Sequence, residues 1–143
     1  MKEYKKPLPK IREEVKEFWE GCKRHELLIQ KCKDCGTYRF PPQLMCPECN
    51  SVDKYWSRVG GKGKVHSFIT VRRTKDISVR SPLRGFDYPY AVVLIELPDA
   101  GGVHIVSNMI DCEMEEIKIG MPVEVVFDDV SAVSYTHLTL PTN

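Results

Sequence analysis

Residues 32–50 read CKDCGTYRFPPQLMCPECN, and this stretch decides how the chain folds. It holds two Cys-x-x-Cys pairs with ten residues between them, and four thiolates at such spacing can surround one Zn²⁺ as a tetrahedron. Gly36 after the first pair and Pro47 inside the second suit the tight turns that bring both sulfurs of a pair to one metal. We therefore predict a metal site, zinc before iron, with the ligands Cys32, Cys35, Cys46 and Cys49.

Four protein ligands leave no open position for water or substrate, so the pattern predicts a structural rather than a catalytic metal. The alternative is one or two redox disulfides of the Cys-x-x-Cys type. The two pairs are close together and no βαβ pattern surrounds them, which favours the metal. Cys22 and Cys112 then remain as free thiols, expected to be small packed side chains in a reducing cytoplasm.

The composition limits the classes of function. Among 143 residues, 21 Lys and Arg oppose 20 Asp and Glu, and the net charge of +1 is too balanced for a protein whose main task is coating nucleic acid. No apolar run approaches the roughly 20 residues of a membrane span, and the N-terminus lacks the apolar stretch of a secretory signal. We expect a cytoplasmic protein with no membrane contact, built as one compact domain or as a small module of a larger protein.

An amphipathic helix is predicted from Pro9 to about Arg24, because apolar residues recur there at helical spacing. These residues are Ile11, Val15, Phe18, Trp19 and Cys22. The stripe that carries Phe18 and Trp19 either packs on the rest of the chain or anchors a partner.

The rest of the chain predicts short strands. Strands at 26–30, 37–40 and 55–59 alternate with the cysteine pairs, which is the layout of a zinc ribbon. Beyond the flexible break at 60–63, residues rich in Val, Ile and Phe predict strands at 64–72, 91–97, 103–110 and 123–130, with a hairpin turn at 98–102. The predicted fold is therefore mainly β with an N-terminal helix: a zinc ribbon followed by a small closed β-barrel, for which an OB-fold is the natural candidate.

The chain divides into four parts on this interpretation. An arm and amphipathic helix occupy residues 1–30, the zinc ribbon 31–59, the OB-fold barrel 60–130 and a tail 131–143. The tail has no charged side chain other than His137, in a protein that is 29% charged. We interpret the tail as vector-derived and leave it out of functional reasoning.

A basic segment between the first two predicted barrel strands is the candidate ligand site. Its cations could neutralise phosphates, and the aromatic residues that follow could stack on a base such as adenine. A solvated loop whose charges only keep the protein soluble remains the alternative. The nominated residues are Arg72, Arg73, Lys75, Arg80, Arg84, Phe86 and Tyr90.

No catalytic residue is nominated. His66 and His104 lie within strand patterns with no Ser or Cys nucleophile at a recognisable spacing, and we expect them to be partly buried sheet residues. The sequence therefore favours a protein that is not itself an enzyme.

The order of these parts resembles one family, the acyl-CoA-associated domain-of-unknown-function proteins in which a rubredoxin-like zinc ribbon is fused to an OB-fold. The motifs that carry the resemblance are Phe18-Trp19-Glu20, Leu28-Ile29-Gln30-Lys31-Cys32, Tyr38-Arg39-Phe40-Pro41-Pro42, Cys46-Pro47-Glu48-Cys49, Gly63-Lys64-Val65-His66-Ser67-Phe68, Pro89-Tyr90-Ala91-Val92 and Gly120-Met121-Pro122-Val123. They cover about residues 10–130. The departure is at the C-terminus, where the tail replaces the apolar, proline-containing strand that usually closes the family's barrel.

The resemblance implies a function. Family members look like non-catalytic partners of acyl-CoA enzymes, including the scaffold that joins acetoacetyl-CoA thiolase to hydroxymethylglutaryl-CoA synthase. It implies that the four cysteines hold structural zinc and that the barrel helps bind coenzyme A. Docking on a thiolase-type enzyme, through the N-terminal helix and the barrel, is the expected role.

Two other classes of function stay open. Zinc ribbons and OB-folds also occur in nucleic-acid-binding modules, although a net charge of +1 predicts weak, salt-sensitive binding. An electron carrier with iron in the four-sulfur site is the third possibility.

Overall fold

The computed structural model describes residues 9–72 and 89–129, together with the backbone of residues 136–141. Among these residues the architecture is one helix, a three-stranded sheet and a six-stranded sheet. This confirms the predicted class, mainly β with an N-terminal helix.

Helix α1 spans Glu13–Lys23, so the predicted start at Pro9 is wrong. Arg12 is extended, with φ −100° and ψ 158°, and the helix begins with Glu13 and Glu14, whose negative charges are favourable at a helix N-terminus. Phe18 is only 6% exposed, and its ring meets that of Trp19 edge-on at 5.2 Å. The aromatic stripe therefore packs largely on its own chain.

The ribbon sheet consists of three antiparallel strands in the order β2-β1-β3. Their bounds are β1 Leu27–Cys32, β2 Tyr38–Arg39 and β3 Lys54–Val59. All three predicted strands are present, and β1 extends two residues beyond its predicted end. Because of this extension, the first cysteine ligand is itself the last residue of a paired strand.

The second sheet has the order β7-β4-β5-β6-β9-β8. Its strands are β4 Lys62–Val71, β5 Tyr90–Leu97, β6 Val103–Ile110, β7 Pro122–Glu124, β8 Val126–Asp129 and β9 Thr136–Pro141. The single strand predicted at 123–130 is instead two strands. They lie at opposite edges of the sheet although only Val125 separates them, so the sheet curls back on itself, as an OB-fold requires.

Strand β9 lies in the tail that we interpret as vector-derived. Its backbone pairs in parallel with β6 and antiparallel with β8. It thus occupies the place of a closing strand, while the origin of the tail stays a prediction.

The predicted hairpin turn between β5 and β6 is confirmed. A 3-10 turn at Pro98–Ala100 is followed by Gly101 and Gly102, at φ 64° and 78°. The Gly102 amide donates a hydrogen bond of 3.0 Å to the carbonyl of Leu97. Two consecutive residues with positive φ explain why glycine is needed at both positions.

One hydrophobic core joins the helix, the ribbon sheet and the larger sheet. Phe18, Cys22 and Ile29 belong to the same buried cluster as Val93 and Ile95 of β5. A second contact lies at the surface, where the His25 ring stacks on Phe127 at 5.4 Å and its Nε2 atom lies 3.2 Å from both carboxylate oxygens of Asp129. The ribbon is therefore fixed against the barrel rather than tethered to it.

Closure of the barrel predicts a test with two glycines. Gly61 has φ +74°, its carbonyl accepts a hydrogen bond from the Val125 amide, and a Cβ atom there would overlap the Val125 side chain. Gly120 has φ +85° but open space around it. We expect Gly61→Ala to lower the free energy of unfolding by about 2–4 kcal/mol, from backbone strain plus overpacking, and Gly120→Ala by about 1 kcal/mol, from strain alone.

Urea denaturation of both variants measures the difference. Equal losses for the two variants would contradict close packing of residue 61 on Val125.

Candidate functional site

The four cysteine sulfurs lie together, all within 4.8 Å of one another. The Sγ atoms of Cys32 and Cys49 are 3.6 Å apart, and those of Cys35 and Cys46 are 3.5 Å apart. Zinc–sulfur bonds of about 2.3 Å in a tetrahedron give sulfur–sulfur edges of about 3.8 Å. The arrangement therefore fits a four-coordinate zinc ion closely, as predicted.

The two cysteine pairs adopt the same turn. The Gly36 amide donates to the carbonyl of Cys32 at 3.1 Å, and the Asn50 amide donates to the carbonyl of Cys46 at 2.9 Å. Gly36 and Asn50 both have positive φ, 72° and 59°. The sequence pointed to Gly36 but not to Asn50, although asparagine is, after glycine, a residue that tolerates this conformation.

Hydrogen bonds favour the thiolate form of the first pair. The backbone amide of Cys35, and then that of Asp34, lower the pKa of Cys32 below its ordinary value. The hydroxyl and then the amide of Thr37 lower the pKa of Cys35 to about 6. The turn thus prepares both sulfurs to act as metal ligands.

The last cysteine shows the opposite effect. A hydrogen bond from the backbone of Ser51 lowers the pKa of Cys49, but desolvation and the three neighbouring thiols outweigh it and raise the pKa to about 12. Four thiolates this close repel one another, so the four cysteines cannot all be ionised in the absence of a cation. A bound divalent cation supplies the charge that allows it.

The two remaining cysteines differ in accessibility. Cys22 is fully buried in the core, and burial raises the pKa of its thiol to about 12. It is the inert packed side chain that we predicted. Cys112 is half-buried, and its thiol donates to the carbonyl of Glu113 at 3.3 Å.

The basic segment is only partly described. Arg72 is exposed just beyond β4, with its guanidinium 4.0 Å from a Glu115 carboxylate oxygen, and Tyr90 is the half-buried first residue of β5. The other nominated residues, Arg73, Lys75, Arg80, Arg84 and Phe86, lie outside the described residues. The coenzyme A site stays a prediction.

The expectation that His66 and His104 are partly buried is wrong. Both are exposed on the solvent side of the six-stranded sheet, and their ring centroids are 4.2 Å apart. Glu96 completes a cluster that sequence reasoning missed. Glu96 and His104 face each other across the β5–β6 hairpin, whereas His66 is distant in the chain and joins them only through the pairing of β4 with β5.

Within residues 9–72 and 89–129, no helix is long and apolar enough to cross a membrane.

Comparison with known families agrees with this architecture. Residues 19–54 match the family described as ChsH2, rubredoxin-like zinc ribbon domain, and residues 56–128 match ChsH2, C-terminal OB-fold domain. The chain therefore belongs to the DUF35 family of ChsH2-type proteins, which join a zinc ribbon to an OB-fold.

Curated relatives carry two kinds of name. A "DUF35 domain-containing scaffold protein" of Methanocaldococcus jannaschii is 35% identical over 112 residues, which are 76% of this chain and 73% of that protein. A "Probable enoyl-CoA hydratase alpha subunit" of Thermomonospora curvata is 35% identical over 136 residues, which are 95% of this chain but only 39% of that protein.

Two solved structures share the fold. One described as "Ltp2-ChsH2(DUF35) aldolase" aligns with a TM-score of 0.79 at 30% identity, over 94% of this chain and 98% of that one. A DUF35 protein of unknown function from Sulfolobus solfataricus aligns with a TM-score of 0.63 at 15% identity, over 92% of this chain and 86% of that one, and shows the fold alone.

The metal centre predicts a clear difference between two Cys→Ser variants. Cys35→Ser removes a ligand and should lose one zinc per chain relative to the unaltered protein and unfold the ribbon, because a module this small depends on metal binding for its folding. Cys112 lies outside the sulfur cluster, so Cys112→Ser should keep the zinc content of the unaltered protein.

Elemental analysis and thermal denaturation of the purified variants measure both effects. The same zinc content in Cys35→Ser as in the unaltered protein would contradict the four-sulfur site. Iron with visible absorption in the unaltered protein would favour the electron carrier.

Proposed function

We propose that this chain is a non-catalytic accessory or scaffold protein that docks on a thiolase-type enzyme and binds the coenzyme A moiety of an acyl-CoA. A link between acetoacetyl-CoA thiolase and hydroxymethylglutaryl-CoA synthase is one specific form of this role. The observation that carries the proposal is an exposed apolar face on the six-stranded sheet, which we call the outer face.

The outer face presents a continuous apolar row across β4, β5 and β6. Ile69 pairs with Val92, and Leu94 pairs with Val106. Val92 and Leu94 are two residues apart on one strand and so point to the same side. Ile69 and Val106 are 63% and 64% exposed. Apolar residues that are contiguous on a surface commonly mark a protein interaction site.

A second group of exposed apolar side chains lies on the ribbon. Leu44 and Met45 precede the second cysteine pair, and Val52 and Tyr55 follow it. Because the shared core fixes the ribbon against the barrel, the two apolar surfaces keep a constant geometry. A protein that positions enzymes needs such a rigid arrangement of contact surfaces.

The names of relatives support an acyl-CoA enzyme as the partner. Two are named as alpha subunits of hydratases that act on coenzyme A thioesters, and the aligned solved structure is described as an aldolase of Ltp2 with ChsH2. Others are called scaffold proteins, and this chain spans about three quarters of their length.

Docking through the outer face can be tested with charge substitutions. We expect the unaltered protein to pull down a thiolase-type enzyme from an extract of its source organism. The double variant Ile69→Asp, Val106→Asp should pull down much less of it. The expected loss is at least about 10-fold, because burying two unpaired charges in an interface costs more than about 1.4 kcal/mol. Ile119→Asp is the matched control, since Ile119 is 73% exposed and lies outside this face, on the link before β7.

Mass spectrometry of the retained proteins gives the measurement. Equal retention by the double variant would refute the assignment of the surface. Retention of no acyl-CoA enzyme by the unaltered protein would refute the proposed function.

Binding of coenzyme A can be tested by charge reversal in the basic segment. A triple variant with Arg72, Arg80 and Arg84 changed to Glu should bind coenzyme A at least about 10-fold more weakly. Each guanidinium removed from a phosphate takes away a charge-assisted hydrogen bond of about 1.5–3 kcal/mol. A control with Lys33, Lys62 and Lys118 changed to Glu alters the net charge equally, at exposed positions outside the segment.

Isothermal titration calorimetry at about 150 mM salt separates local from general charge effects. Equal weakening in the two triple variants would contradict a specific site. Tight binding of single-stranded RNA or DNA at the same salt concentration would favour the nucleic-acid-binding module.

A further inference from the structure

We propose that His66, Glu96 and His104 form a second metal site, on the outer face of the six-stranded sheet and separate from the cysteines. The ligand class is a divalent first-row transition ion that prefers imidazole nitrogen, such as Zn²⁺, Ni²⁺ or Cu²⁺. The inference goes beyond the proposed scaffold role and does not depend on it.

The ligand atoms already converge. One nitrogen from each imidazole and one carboxylate oxygen lie within 4.8 Å of one another, and the two rings are tilted by 30° at a centroid distance of 4.2 Å. Metal–nitrogen and metal–oxygen bonds of about 2.0–2.2 Å place neighbouring ligand atoms about 3–3.5 Å apart. Small rotations of side chains at the surface are sufficient to close the difference, and no movement of the backbone is needed.

Strand pairing holds the three side chains in register. Glu96 on β5 pairs with His104 on β6. On β4 the register shifts between Val65 and Ser67, which leaves His66 as the extra residue of a β-bulge. Bulges redirect side chains and are enriched near functional sites. The three ligands therefore stand on rigid strands rather than on loops, as a pre-organised site requires.

A competing cation lies beside the cluster. The Lys64 ammonium lies 3.7 Å from a carboxylate oxygen of Glu96, and Lys64 pairs with Glu96 across β4 and β5. Half of the Lys64 side chain is exposed, so this ion pair contributes at most about 1 kcal/mol. A divalent cation held by two imidazoles can displace the ammonium from the carboxylate.

The ligand set also separates this site chemically from the ribbon. Four thiolates favour zinc and leave it no open position, whereas two imidazoles and a carboxylate suit Zn²⁺, Ni²⁺ and Cu²⁺ alike. Three protein ligands leave at least one coordination position for water or for a group from a partner. An ion bound here would cross-link β4, β5 and β6.

Nickel is a suitable probe for the zinc-loaded full chain. We expect the unaltered protein to bind one equivalent of Ni²⁺ in calorimetry, to keep its ribbon zinc by elemental analysis, and to melt at a higher temperature with Ni²⁺. His66→Ala and His104→Ala should each weaken Ni²⁺ binding by more than about 10-fold. Even the loss of a residue that only hydrogen-bonds to a metal ligand lowers metal affinity by about 10- to 100-fold. The exposed positions of both histidines mean that folding should be unaffected.

His25→Ala is the matched control, because His25 is an exposed histidine that contacts Asp129 and Phe127 instead of the cluster. It should bind Ni²⁺ like the unaltered protein. Lys64→Met frees Glu96 from its competing cation and should tighten binding several-fold.

Three results would overturn the assignment. They are unchanged Ni²⁺ affinity in the His66 and His104 variants, Ni²⁺ uptake only with release of ribbon zinc, and no uptake by the unaltered protein. An unchanged or weaker affinity in Lys64→Met would overturn the role of Glu96 as a ligand.

Discussion

Mutual repulsion of four thiolates in one small volume is the constraint on which the ribbon depends. Hydrogen bonds lower the pKa of Cys35 to about 6, yet the neighbouring sulfurs and desolvation raise that of Cys49 to about 12. Only a cation at the centre allows all four to ionise together. Because so short a module buries little apolar surface by itself, the energy of metal binding is what orders it. The turns at Gly36 and Asn50, and the pairing of β1 with β2 and β3, bring the four sulfurs together for that cross-link.

Order in the ribbon then extends to the barrel through packing. Strand β1 carries the first ligand, Cys32, and also places Leu27 and Ile29 in the core that β5 completes with Val93 and Ile95. The helix covers the same core with Phe18, so this large aromatic contributes to stability and is not available as a partner anchor. Among the residues that the structure describes, the outer face and the exposed apolar side chains of the ribbon are surfaces open to a partner. Their relative position is set by the core that the ribbon shares with the barrel.

Features encoded within a few adjacent residues were predictable from the sequence. The cysteine pairs, the hairpin turn at 98–102 and most strands were located correctly, because spacing, glycine pairs and runs of β-branched residues act locally. Features set by tertiary pairing were not. The break at Val125 follows from closure of the sheet, and the start of α1 at Glu13 lacks a side-chain cap that could mark it. Of the candidate sites, the four cysteines named from the sequence are those that the structure brings together, whereas most of the basic segment lies outside the described residues.

The cluster of His66, Glu96 and His104 shows that strand register determines which side chains come together in a site. Alternation places Glu96 and His104 on the outward side of their strands, and the hairpin turn predicted at 98–102 sets them opposite one another. The bulge that adds His66, by contrast, is a property of the pairing of β4 with β5 and not of any motif. The same registers place Leu94 and Val106 beside this cluster, on one face. A partner that covers the apolar row would therefore lie close to these ligands and could supply the group that completes the coordination of an ion held there.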